Sequence, residues 1–223
     1  MKKIKMTIEL LSDTLSGSGE GFGAVIDNDV QYDDCGIPYI SSKRIKGSLR
    51  NSLYDLLDMP VVSRAKGINT EEDITMILDL IFGKKGSVLS SSFKISDFFV
   101  KEYDSVKKWF EFLKEQYPNI YSNEKILSTF TNIRRQTTVN KDGVAEDHSL
   151  RTSRVVNKGL MFESDIYIDT EDKDAVELLA LACANLKRIG TKRNRGLGYI
   201  RCTLEGDIIK KSISNFVKVL EDN

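Results

Sequence analysis

The order in which its hydrophobic periodicities follow one another constrains this chain most. Residues 2–11, KKIKMTIELL, put Ile4, Met6, Ile8 and Leu10 at every second position, as in a strand with one buried face. Past Ser41-Ser42, an N-cap pair by type, the period changes. Ile45, Leu49, Leu53, Leu56 and Leu57 repeat at helical spacing until Pro60 ends the run. LMFESDIYID, residues 160–169, reads as a strand again. Ala175, Leu178, Leu179, Ala182, Leu186 and Ile189 predict a second buried helix face, and YIRCTLEG a closing strand. With one or two further strands from the middle of the chain, the order is βαββαβ. It predicts an α+β fold, a ferredoxin-like or RRM-like sheet with helices on one face.

The core then occupies about residues 1–60 and 160–206 of one domain, 1–223. Residues 61–159 read as an insertion, and about 207–221 as a C-terminal amphipathic helix. Within the insertion, Thr70 caps a short apolar helix that ends at Gly83. Strand character surrounds Ser96-Asp97-Phe98-Phe99-Val100. In 104–117, Val106, Trp109, Phe110, Leu113 and Tyr117 predict a helix whose aromatic stripe lies in the core. Residues 131–153 are polar, with a turn signal at Lys141-Asp142-Gly143, and predict a hairpin or an extended mobile arm.

Lys plus Arg and Asp plus Glu each number 33, for a formal net charge of +0. A free nonspecific nucleic-acid binder shows a basic excess, so only a local stripe fits that class here. No run reaches membrane-spanning length, and the basic N-terminus alternates like a strand rather than a signal peptide. The expected location is cytoplasmic, without a membrane partner. Cys35, Cys183 and Cys202 are too widely spaced for a zinc pattern and read as reduced thiols. The single histidine, His148, sits in a polar run and reads as a surface residue.

The charge is clustered. Lys187, Arg188, Lys192, Arg193, Arg195 and Arg201 lie within fifteen residues, and 180–203 holds no acid. Gly190, Gly196 and Gly198 in the same stretch let backbone N–H groups approach phosphates closely. Lys43, Lys46 and Arg50 share one flank of the first predicted helix, near its positive end. The two patches together would line a groove for a single strand, with Lys43, Lys46, Arg50, Lys192, Arg193, Arg195, Gly196 and Gly198 on its phosphates. SDTLSGSGEGFG, residues 12–23, is a second glycine loop; its spacing is not a P-loop. Asp27, Asp29, Asp33 and Asp34 precede the helix. On residue type alone they either hold a divalent cation and position a hydroxyl, or are solvated turn formers.

These stretches resemble, in order and over most of the chain, the CRISPR RAMP superfamily (repeat-associated mysterious proteins). GIPYISSKRIKGSLR is similar to its PxIPGSSLKGxxR element, and GTKRNRGLGYI to its C-terminal glycine-rich loop. SGSGEGFGAVIDNDV, IFGKKGSVLSSSFKISDFF and TTVNKDGVAEDHSLRTSRVVNKGLMFE resemble further segments of type III backbone subunits, the last being the source of the thumb. The resemblance implies a modified RRM fold that binds the backbone of guide RNA (crRNA). Copies or paralogues would stack along the guide with other effector subunits, in antiviral defence. By its position in AVIDNDV, Asp27 matches an aspartate that supports metal-dependent cleavage of complementary target RNA. The ribose 2′-hydroxyl would attack the adjacent phosphate, with Mg2+ or Mn2+ held at Asp27. Two other functions fit the fold. One is a noncatalytic structural or capping subunit, since SDTLSGSGEG also resembles larger proteins of subtype III-D. The other is a guide-processing endoribonuclease, which often uses a histidine base.

Overall fold

β1 (Lys2–Leu10) becomes an inner strand of an antiparallel sheet, with Ile4, Met6, Ile8 and Leu10 buried on one face. It pairs with β7 (Met161–Ile168) from Lys2↔Ile168 to Glu9↔Met161, and with β8 (Ile200–Leu204) from Met6↔Leu204 to Leu10↔Ile200. β3 (Phe93–Ile95) and β4 (Phe98–Val100) both pair with β7, as one strand interrupted at Ser96-Asp97. The short β2 (Tyr39–Ile40) adds to β4, giving the order β2-β4-β7-β1-β8. α1 (Ser42–Leu57) lies between the first and second core strands in sequence, and α6 (Lys173–Asn185) between the third and fourth. This is the βαββαβ order expected from the periodicities. The computed structural model describes residues 2–17, 26–84, 93–137, 140, 141, 146, 149–168, 173–191 and 195–221.

α1 and α6 cover one sheet face. Ile45, Leu49, Leu53, Leu57, Leu179 and Ala182 meet Met6, Ile8, Phe162 and Ile166 in one core. Ser52 Oγ donates to the Ala182 carbonyl at 2.9 Å, and Asn185 Nδ2 donates to the Ser52 carbonyl at 3.0 Å, so the two helices are also tied by polar bonds. The opposite face carries cross-strand ion pairs: Lys3–Asp165 at 2.8 Å, Lys5–Glu163 at 3.4 Å and Arg201–Glu9 at 2.9 Å. Exposed pairs of this kind add little stability, but they keep that face polar. α6 ends before the predicted run does. Leu186 and Ile189 are buried beyond its last turn, in the chain leading to the glycine loop.

The start of α1 differs from the sequence expectation. Ser41 holds the N-cap position, yet its side chain makes no capping bond. Instead the Ser42 N–H donates to Asp97 Oδ1 at 2.7 Å. The interruption between β3 and β4 is what delivers that carboxylate to the positive end of the helix. Asp97→Ala is therefore expected to lower stability by about 1–2 kcal/mol, and Ser41→Ala by less than about 0.5 kcal/mol. Urea unfolding of the two variants checks this.

Pro60 does more than stop α1. It opens α2 (Pro60–Ala65) at its first turn, where its missing N–H is harmless. α3 (Glu71–Phe82) begins with the expected Thr70 cap, completed by Asp73 as a capping box. The N–H groups of Asn69 and Thr70 hold the Asp73 carboxyl below its usual range.

α4 (Tyr103–Gln116) forms where predicted, but its aromatic stripe is not core. None of its residues is fully buried. Tyr103, Val106 and Phe110 pack against the core from one side. Trp109, 58% exposed, stacks on the exposed Phe112 at 5.7 Å on the other, and Tyr117 is exposed beyond the helix. Two apolar stripes share the helix, and the fold supplies a layer for one of them.

α5 (Asn123–Phe130) leads into β5 (Thr131–Gln136), which pairs with β6 (Arg151–Val156) in a separate two-stranded ribbon. The predicted arm is thus a hairpin at its base; Asp142, Gly143 and His148 lie outside the described residues. α7 (Ile208–Glu221) ends the fold as predicted. Cys35, Cys183 and Cys202 are free and buried. A hydrogen bond with Cys202, and then burial, push the Cys183 thiol up. Among the described residues no helix is long and apolar enough to cross a membrane.

Candidate nucleic-acid interface

The C-terminal glycine loop is closed by pairing between its two ends. Ile189 N–H donates to the Gly198 carbonyl at 2.9 Å, Ile200 N–H to the Lys187 carbonyl at 3.0 Å, and Arg188 pairs with Tyr199. Two glycines are required here. Gly198 has φ +76, and a Cβ on it would fall on the Ile189 carbonyl oxygen; Gly190 has φ +79, and its Cβ would fall on the Leu15 carbonyl. The loop is also laced to residues 11–15. Gly198 N–H donates to the Asp13 carbonyl (2.9 Å), Thr191 N–H to the Leu15 carbonyl (3.0 Å), and Tyr199 N–H to Ser12 Oγ (2.9 Å). The start of the N-terminal glycine loop and the C-terminal one thus form a single backbone platform. Lys187, Arg195 and Gly196 are exposed on it. Lys192 and Arg193 lie outside the described residues.

Lys43, Lys46 and Arg50 of α1 have different surroundings. Lys43 is exposed. Lys46 is half-buried, 5.4 Å from the Phe93 ring centroid, and burial followed by the neighbouring Arg50 lowers its pKa. Arg50 turns to the C-terminal end of α3, binding Asp79 at 2.7 Å and the Leu78 carbonyl at 3.2 Å. There it neutralises the negative end of that helix. The link from α1 to the glycine platform is Arg44, which donates to the Gly17 carbonyl. Sequence reasoning passed over Arg44 because its partner is a backbone atom far off in the chain. The N-terminus of α1, offered as a phosphate site, already carries the Asp97 carboxylate.

The four acids divide into two pairs. Asp33 folds its own loop, accepting from the Cys35 and Ile37 N–H groups at 2.9 and 2.8 Å. It also accepts from the Tyr103 hydroxyl at 2.6 Å; burial first, and then this bond, push Tyr103 up to about 12. Asp34 pairs with Lys107 at 3.0 Å, which lowers the carboxyl and raises the amine. Asp27 and Asp29 belong to the ribbon instead. Asp27 N–H donates to the Thr152 carbonyl at 2.9 Å, and Thr152 N–H returns a bond to Asp27 Oδ2 at 2.6 Å. Arg151 stands 3.7 Å from Oδ1, and the Asp27 side chain is 38% exposed. Asp29 is buried against Arg154, with Nε 2.9 Å from Oδ1. That contact is an ion pair more than an aligned hydrogen bond, since the Arg154 Nε–H has no acceptor in line. Arg154 also binds Glu124 at 2.7 Å, and its N–H donates to the Asn28 carbonyl at 2.9 Å.

Among the described residues no three acids, cysteines or histidines come together around a metal-sized space. A divalent ion at Asp27 would have that one carboxylate from the described residues and would take the rest of its shell from water or ligand oxygens, as Mg2+ commonly does.

The model of the RAMP superfamily matches residues 7–201. One similar solved chain comes from a cryo-EM structure of the type III-B Cmr-beta in its apo state. It is 14% identical with a TM-score of 0.62, and the match covers 93% of this chain and 98% of that one. Another comes from the type III-B Cmr-beta bound to cognate target RNA, at 13% identity and a TM-score of 0.65, covering 95% and 99%. No curated protein matches the chain.

Proposed function

The chain belongs to the RAMP superfamily, and on that footing we propose that it is a guide-RNA-binding backbone subunit of a type III CRISPR effector complex. The observation that carries this reading is the platform made by residues 11–17 and the described parts of the C-terminal glycine loop. Close-packed backbone at Gly190 and Gly198 holds Lys187, Arg195 and Gly196 outward, where phosphates of a guide strand would lie. Such contacts carry no base information, as a subunit that holds any guide requires. With a net charge of +0, one copy binds modestly and in a salt-sensitive way, and assembly along the guide supplies avidity. Its partners are then guide RNA, complementary target RNA, neighbouring effector subunits and copies of itself, in the cytoplasm. The similar structures come from subtype III-B; a place in III-D rests only on the SDTLSGSGEG stretch.

A second reading adds cleavage of the target at Asp27. It is favoured by the half-exposed carboxylate of Asp27 beside Arg151 and Thr152, at the end of the β5–β6 ribbon that leads into residues 137–150. Bound Mg2+ or Mn2+ would offset charge developing on the scissile phosphate. Asp27 would hold that ion together with RNA oxygens, or orient the attacking 2′-hydroxyl. The same carboxylate also anchors its loop through Thr152, which is all a noncatalytic subunit needs of it.

The test uses the complex assembled with guide RNA, labelled complementary RNA and Mg2+ or Mn2+. Regularly spaced cuts that vanish in Asp27→Ala, with target binding unchanged, are the expected result of the second reading. A bound, uncut target in both proteins leaves the structural subunit alone. Cleavage of precursor repeats by the isolated protein would overturn both in favour of a guide-processing nuclease.

A further inference from the structure

We propose that Tyr199, backed by Arg188, is a stacking site for a base of single-stranded RNA; this rests on the RNA-binding reading above. The ring is placed rigidly. Its backbone N–H is held by Ser12 Oγ at 2.9 Å, and its carbonyl accepts from the N–H groups of Leu11 and Ser12 at 2.8 and 3.3 Å. The Arg188 guanidinium lies over the ring, 4.0 Å from its centroid, and donates to the hydroxyl. An aromatic ring fixed in this way loses little further freedom on binding. Yet Tyr199 is 39% exposed, and the adjoining Leu11 is 45% exposed.

The surroundings select an anionic ligand with flat apolar faces. Lys187 and Arg195 are exposed close by in sequence, and residues 180–203 contain no acid. Glu9, on the strand beside β8, is taken up by Arg201. A cation on a tyrosine ring also suits a base stacked on the same pair, because both the ring and the guanidinium offer planar surfaces. The broad sheet face cannot serve this purpose as in an RRM, since it carries the ion pairs of Lys3, Lys5 and Arg201. Stacking is displaced to the sheet edge, next to the glycine platform. It tolerates any base, in keeping with a subunit that does not read its guide.

The test titrates the full chain with a short single-stranded RNA carrying 2-aminopurine, over a range of salt concentrations. Tyr199→Leu keeps bulk without a π face, and Tyr199→Phe keeps the ring. Tyr199→Leu is expected to weaken binding about 5- to 100-fold and to lose the fluorescence quench. Its salt slope is expected to be unchanged, because no phosphate contact is removed. Tyr199→Phe keeps the quench. Thermal melts of both variants confirm that they fold. Lys187→Ala and Arg195→Ala are expected to lower the salt slope instead. If these two weaken binding while Tyr199→Leu matches wild type, the stacking site is refuted and the RNA-binding reading stands. If wild type binds no RNA even at low salt, the RNA-binding reading falls, and the stacking site with it.

Discussion

Gly198→Ala is expected to destabilise the protein by about 3 kcal/mol or more, lowering the melting temperature by roughly 10 °C. The left-handed backbone at φ +76 alone costs a residue with a Cβ about 1–2 kcal/mol. The added Cβ also meets the Ile189 carbonyl oxygen, a backbone atom that already accepts no spare room. Relief requires the loop ends to part, which loosens the Ile189–Gly198 and Gly198–Asp13 hydrogen bonds together. Gly196 separates the two contributions. It has the same φ of +76, but open space around its Cβ. Gly196→Ala is expected to cost only about 1 kcal/mol. Equal losses in thermal or urea unfolding would mean that Gly198 does not approach the Ile189 carbonyl as described, and that φ alone dictates glycine at both positions. RNA affinity offers a second readout, since Gly198→Ala also releases Tyr199 from its position.

The sheet was legible because its evidence is local. Alternation in residues 2–10 and 161–168 marks strands with one buried face, and those faces are buried. α1, α3, α4, α6 and α7 were legible for the same reason, as was the Thr70 cap, whereas the short α2 and α5 and the part of Asp73 in that cap were not foreseen. What misled were residues whose partners arrive from elsewhere in the chain. Ser41-Ser42 has the composition of a cap, but Asp97, fifty-five residues on, does the capping. In α4 the helical period was clear, while nothing in the periodicity said which of two apolar stripes the fold would cover. A sequence pattern reports which face of an element is apolar. It does not report whether another element lies there.

The candidate site divides in the same way. The glycine loop announced itself through composition, and the structure explains two of its glycines by contact with backbone. The four acids looked like one group because they are close in sequence. The chain instead turns at Asp33–Gly36 and sends one pair to α4 and the other to the ribbon. Arg154 carried no signal, as one arginine in a polar run, and yet it is the buried hub between the acidic segment, α5 and β6.

Arg154→Met is accordingly expected to cost about 3–5 kcal/mol, because it leaves the buried Asp29 carboxylate without a counter-charge. The Asp29–Arg154 side chains are 6% and 5% exposed, so water cannot take over the lost contact. Asp29→Leu combined with Arg154→Met is expected to recover most of that loss, since an apolar pair of similar volume removes both desolvation penalties at once. Urea unfolding of the singles and the double forms the cycle that measures the coupling. If the double is as unstable as the single, the Glu124 contact and local packing carry the stability, and the ion pair does not. Recovery of stability has a further consequence for the site. The acidic segment would then be held to β6 by the backbone bonds at Thr152 and Arg154, by the Asp27 carboxylate on the Thr152 N–H, and by the Asn28–Ser153 side-chain bond. Without the charged pair to fix its register, that segment is expected to become susceptible to limited proteolysis around residues 26–30 in a protein as stable as wild type. The buried ion pair would then be understood as the device that sets where Asp27 sits against the arm, with stability a separate matter that an apolar pair serves equally well.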